Sequence, residues 1–329
     1  MNSTLYMGEL SLQPSSSFSS ERAVSNNLAI ILEGLSIFFN LFTFYLVKRQ
    51  GFKTFDMWIA SFLSIGDAIF IGYKFCQSIA YNILGFEKIF LNVYYGQYDG
   101  LIEVFFVLFS VSCVGYLALL RYWVIYLKKN LKVRIWVVMF ILLQFVHLSL
   151  LISVLVNMDF ILMPLQLYFF PNTISIIPLT RFTACYTIFF SFICLCLVNF
   201  CYFLLAKRFI HILEDNIDNG FNDSFYTLTS CLKKQKRSTY IKTGIILLLY
   251  SLCVVPYLVI SIREQILMQL RTRVEDSIIA VCVMLFTVVN PMMLMILHDD
   301  IYMDLKLMSN SIFEKFKKKE RKFTYNYSP

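Results

Sequence analysis

A chain of 329 residues that is 58% hydrophobic, only 15% charged and +0.68 in mean hydropathy is not a soluble globular domain. Its formal net charge of +8 sits largely in a few connections, a pattern of membrane topology rather than of nucleic-acid binding. No nucleophile has a base beside it, and no Cys or His cluster has metal-ligand spacing, so neither an enzyme nor a metal protein is expected.

Apolar runs recur at 28–47, 56–75, 99–126, 134–156, 183–205, 241–262 and 276–297. A membrane-crossing helix needs about 20 such residues. The pattern predicts an all-α membrane protein, a seven-transmembrane helix bundle over 27–298. A polar, Ser-rich segment, 1–26, precedes it, and 299–329 follows as an interfacial helix and basic tail. Nothing in 1–26 has the basic-then-apolar form of a signal peptide, so the first span acts as its own insertion signal. Asn2-Ser3-Thr4 is a glycosylation sequon, with Asn2 the acceptor.

Basic residues fix the orientation. One set of connections, around 48–53, 128–134, 207–242 and the tail from Lys306, holds 21 of the 29 Lys and Arg residues. The opposite set holds seven, Lys74 and Arg271 among them, and Arg121 is the last. The positive-inside rule then puts the N-terminus outside and the C-terminus in the cytosol.

Span one carries Glu33 and Asn40, and span two carries Asp67 near mid-depth. A buried carboxylate needs polar partners, and Ser64, Asn40, Ser110 and Asn290 are the candidates. Two readings stay open: a helix–helix hydrogen bond, or a small cavity for water or a sodium ion. Span three bears Glu103 and Arg121, 18 residues or about five turns apart, and hence on one helix face near opposite membrane surfaces. Intramembrane charge is costly enough to face the protein interior. His147 in span four reads as a hydrogen-bonded packing residue.

Residues 160–178 are apolar, but Pro164, Pro171 and Pro178 would break a helix. The basic connections on either side demand an even number of spans between them. The stretch 157–181 is therefore an outer loop against the mouth of the bundle. The third inner loop, 207–240, pairs an acidic part with a basic one. Pro256 and Pro291 should kink spans six and seven. Beyond His298, apolar residues 301, 305, 308, 312 and 316 form one stripe, predicting an amphipathic interfacial helix over 299–316.

With Asn40, the LSIGD ending at Asp67, Ser110, Arg121-Tyr122, Cys253 with Pro256, and Asn290-Pro291 in order, the chain resembles a rhodopsin-like G-protein-coupled receptor along nearly its whole length. Within that family it is more similar to divergent invertebrate chemosensory receptors, nematode serpentine types included. The resemblance implies a plasma-membrane receptor with a heterotrimeric G protein and an extracellular small ligand, chemosensory or amine-like, as partners. It assigns ligand binding to Glu103, Tyr257 and Tyr186, and switching to Arg121, Tyr122, Cys253, Pro256, Asn290 and Pro291. It places a possible bound sodium ion among Asn40, Asp67, Ser110 and Asn290, and implies no other cofactor. For Glu103 the other reading is internal pairing, with Tyr257 or an outer Arg.

The departures are specific. Leu120 stands where the family has an acid, Val254 where it has Trp and Leu294 where it has Tyr. Gly96 lies near the position of the usual disulfide Cys, and 157–181 has no Cys. Without an acid at 120 or at the start of span six, Arg121 is expected to lack restraint and basal signalling to be raised. Retinal chemistry needs a Lys in span seven, and 276–297 has none. A divergent, non-signalling seven-helix scaffold, or partner subunit of another receptor, is the alternative function.

Overall fold

The computed structural model describes residues 16–52, 54–85, 93–128, 132–164, 168–218 and 226–297. The interfacial helix and basic tail predicted after span seven, and Asn2, lie outside these residues. Seven helices run up and down: α1 Ser16–Gln50, α2 Phe55–Leu84, α3 Val93–Arg121, α4 Val133–Val156, α5 Pro178–Asp218, α6 Tyr226–Leu267 and α7 Arg273–Leu297. Each is long and apolar enough to cross a membrane. Large apolar side chains such as Phe38, Phe62, Leu142, Phe145 and Phe203 point outward, as they would towards lipid. Association of such helices depends on close packing and interhelical hydrogen bonds, because lipid is as apolar as leucine.

α3 is the axis. It packs on α2, α4 and α5, and its Leu108, Cys113, Leu117 and Ala118 are almost fully buried. Glu103 and Arg121, 6% and 8% exposed, both face inward as their spacing predicts. The helix finishes in a π-helical turn, Tyr122–Tyr126. At the same end of the bundle, Gly51 (φ +74°) closes α1 with a backbone bond to Lys48 O at 3.1 Å, a left-handed conformation that suits glycine.

Three boundaries differ from the sequence reading. α1 begins at Ser16, so part of the polar segment 1–26 is helical. α5 runs on to Asp218 and α6 starts at Tyr226, so most of the predicted loop 207–240 is helix. Hydropathy marks where lipid ends, whereas a helix already nucleated extends into water at little cost. The 157–181 loop contains a hairpin, β1 Phe160–Leu162 paired antiparallel with β2 Phe169–Pro171. Pro171 is tolerated because this two-stranded ribbon leaves an edge free of ladder bonds.

The hairpin is held to α3. Gln97 Nε2 donates to Phe160 O at 2.8 Å, and Phe160 N donates to Gln97 Oε1 at 2.9 Å. Gly96 and Gly100 let the strands approach: a Cβ on Gly96 would lie 2.3 Å from the Phe169 ring. This contact stands where the resemblance leads one to look for a disulfide. All described cysteines are free thiols.

Candidate functional site

Both prolines leave a carbonyl without its helical partner, and each vacancy is filled from another helix. Pro291 cannot donate to Thr287 O; Asn40 Nδ2 on α1 donates there instead, at 3.1 Å, and to Ser36 O at 2.9 Å. Pro256 leaves Leu252 O, which receives Cys282 Sγ of α7 at 3.9 Å. The proline-bearing stretches of α6 and α7 are thus tied to their neighbours by side chains.

One turn from Thr287, Asn290 Nδ2 donates to Asp67 Oδ2 at 3.1 Å and to Ser110 Oγ at 2.7 Å. Ser110 Oγ donates to the same carboxylate oxygen at 3.3 Å. Three of the four residues predicted for the internal polar site therefore meet. Asn40 does not join them, because its amide is committed to the carbonyl that Pro291 frees. Ser64 Oγ and Asn290 Oδ1 are buried without hydrogen bonds among the described residues.

At the Arg121 end, the predicted absence of restraint is wrong. Arg121 Nη2 lies 3.6 Å from Asp56 Oδ2, and Nη1 donates to Tyr202 OH at 3.4 Å. The acid comes from the first turn of α2, where a carboxylate also suits the helix N-terminus, rather than from residue 120 or from α6. Tyr122 stacks on Tyr126 with centroids 5.0 Å apart. Cys253 is buried on α6 close to Pro256.

At the Glu103 end, a pocket lies among α1, α2, α3 and α7 under Tyr168 and Phe170 of the hairpin region. Glu103 and Tyr257 line it. Tyr186 is not among the lining residues; it packs on His147 and Phe190, at 5.8 and 5.9 Å, along the α4–α5 seam. His147 is fully buried there and makes no hydrogen bond among the described residues, so aromatic packing rather than hydrogen bonding holds it.

Glu103 has a partner that the sequence reading did not name: Lys74 Nζ is 3.4 Å from Glu103 Oε2. Lys74, which its charge assigns to the outer connections, lies within α2 and is 3% exposed. Around it lie the carboxylates of Asp99, Glu103 and Glu33. Tyr73 OH donates to Asp99 Oδ1 at 2.7 Å, and Ser78 Oγ to Glu33 Oε1 at 3.2 Å. Spacing carries a signal for this group. Lys74 is two turns from Asp67 and Glu103 one turn from Asp99, so each pair shares an inward face.

A second buried group closes the same end. Arg271 Nε and Nη2 donate to Glu264 Oε1 and Oε2 at 2.8 and 2.9 Å. Arg271 Nη1 donates to Tyr168 OH at 3.3 Å, and Tyr168 in turn donates to Asp276. Burial works against the Arg271 charge, but Tyr168, Glu264 and Asp276 more than offset it and hold its pKa above the ordinary value. Burial pushes the Tyr168 hydroxyl well above the usual phenol range; Arg271 opposes this and Asp276 adds to it. The guanidinium ties α6 and α7 to the loop that roofs the cavity.

The arrangement of helices matches squid rhodopsin with a TM-score of 0.66 at 15% sequence identity, over 89% of this chain and 86% of that one. The fold is that of rhodopsin. No family model and no curated protein matches the sequence. Within the rhodopsin fold this chain carries no lysine on α7, and its roofed cavity leans towards α1 and α7.

Proposed function

We propose that the chain is a G-protein-coupled receptor of the plasma membrane that binds a small extracellular ligand in the roofed cavity and passes the signal to a heterotrimeric G protein. The observation that carries this reading is that one helix serves both ends. α3 gives Glu103 to the cavity and Arg121 to the Asp56–Tyr202 clamp. A ligand that draws α2, α3 and α7 together, or apart, changes the separation of Asp56 and Arg121, because α2 carries both Lys74 and Asp56. Coupling of this kind needs elements with two discrete packings, and the side-chain ties at Pro256 and Pro291 are where this reading puts the change. The basic connections put the Arg121 end in the cytosol and the N-terminus outside.

A sodium ion at Asp67 and Ser110 is part of this reading: their oxygens are of the kind that sodium takes, and the Asn290 amide, which now donates to both, would turn to present Oδ1. Such an ion would neutralise Asp67 and stiffen the contact between α2, α3 and α7. Attachment of retinal is not part of the reading, since α7 has no lysine to hold it. The test is nucleotide exchange by a purified G protein in membranes containing the full chain. Exchange that rises with a small extracellular compound, and returns to background when Arg121 is replaced by Ala, supports the receptor reading. Exchange that ignores the chain altogether points to a non-signalling scaffold.

A further inference from the structure

Among the described residues that line the cavity, Glu33 is a carboxylate with a buried oxygen that has no hydrogen-bond donor. Glu33 on α1 is 1% exposed and lines the cavity. Its Oε1 accepts from Ser78, while Oε2 has no hydrogen-bond partner among the described residues. The nearby ammonium, Lys74, is bonded to Glu103. Formal charge is equally one-sided: Glu33, Asp99 and Glu103 surround the single Lys74. A buried carboxylate oxygen without a donor is costly, and Glu33 stands in the lining of the pocket. The walls there are apolar and aromatic, with Leu32, Tyr81, Val107, Phe170 and Met284 among them. Such walls suit an apolar body and, at the tyrosine faces, a cation.

We infer that the ligand is a small organic cation, a protonated primary amine on an apolar body, and that Glu33 rather than Glu103 takes its ammonium. The inference deepens the receptor reading for this site, but binding and signalling are separable. Glu103 is held by Lys74 and acts as the counter-ion that keeps Lys74 from quenching Glu33. The ammonium donates to Glu33 Oε2 in a charge-assisted bond, and the apolar body lies between α1, α2 and α7.

The experiment uses the purified full-length chain in nanodiscs. The probes are phenethylamine, isoamylamine and cyclohexylmethylamine, each beside its uncharged N-acetyl counterpart. Ligand binding raises the unfolding midpoint in a concentration-dependent way, and G-protein nucleotide exchange is read on the same preparations. At least one amine raises the midpoint of the wild type while its N-acetyl counterpart does not. Glu33→Gln keeps the shape and the Ser78 bond and weakens that amine at least fivefold. Glu33→Asp, which keeps the charge, loses less than Glu33→Gln and shows that the loss is not misfolding. Failure of all three amines to bind, equal binding of an N-acetyl compound, or a loss under fivefold in Glu33→Gln overturns the inference. Amine binding without nucleotide exchange leaves it standing and sinks the receptor reading instead.

Discussion

At the scale of single residues, buried charges here are organised by who satisfies them. Asp56 holds Arg121 at 3.6 Å, and a partly buried pair of this kind contributes about 1 kcal/mol. Asp56→Asn should therefore raise basal nucleotide exchange about fivefold, measured without ligand in reconstituted membranes; an unchanged rate would remove Asp56 from the switch. Lys74 stands at the other extreme. Removing a buried partner strands the charges it faced, at a cost of about 3–5 kcal/mol. Lys74→Met should lower the unfolding midpoint sharply, whereas Lys74→Arg should recover much of it.

At the scale of the element, the prolines and the hairpin carry the argument. Asn40 matters because Pro291 leaves Thr287 O unpaired. Asn40→Ala should cost about 1–3 kcal/mol, the penalty of an unsatisfied buried carbonyl. In a Pro291→Ala background the helix supplies its own donor to Thr287 O, so the same change should cost clearly less. Unfolding measured across this double-mutant cycle gives the coupling directly; independent effects would contradict the account. The hairpin offers a parallel case. Gln97→Ala removes both bonds to Phe160, and faster amide exchange over 160–171 is the outcome to look for, with no equal change in α4.

At the scale of the whole molecule, orientation and coupling are joined. Tags placed at the two chain ends of the protein in intact cells should be reached from outside at the N-terminus and only after permeabilisation at the C-terminus. The reverse result would turn the roofed cavity towards the cytosol and remove its ligand from the extracellular space. One rod, α3, links the cavity to the clamp, and α2 runs beside it bearing Lys74 and Asp56. On the proposed reading, a shift at one end of this pair is felt at the other.

The sequence by itself determined the seven apolar helices, their basic connections and the inward faces of Glu103 and Arg121. Hydropathy, charge asymmetry and helical period are local properties that survive without knowledge of neighbours. It also made the meeting of Asp67, Ser110 and Asn290 legible through their order along a familiar pattern. Only the tertiary structure decided the partners: Lys74 for Glu103, Asp56 for Arg121, Asn40 for the carbonyl freed by Pro291, and Glu264 and Asp276 for Arg271. A side chain's period says which way it points, but its partner depends on helix rotation, depth and approach. Those are settled jointly, when buried polar groups on all seven helices must be satisfied at once.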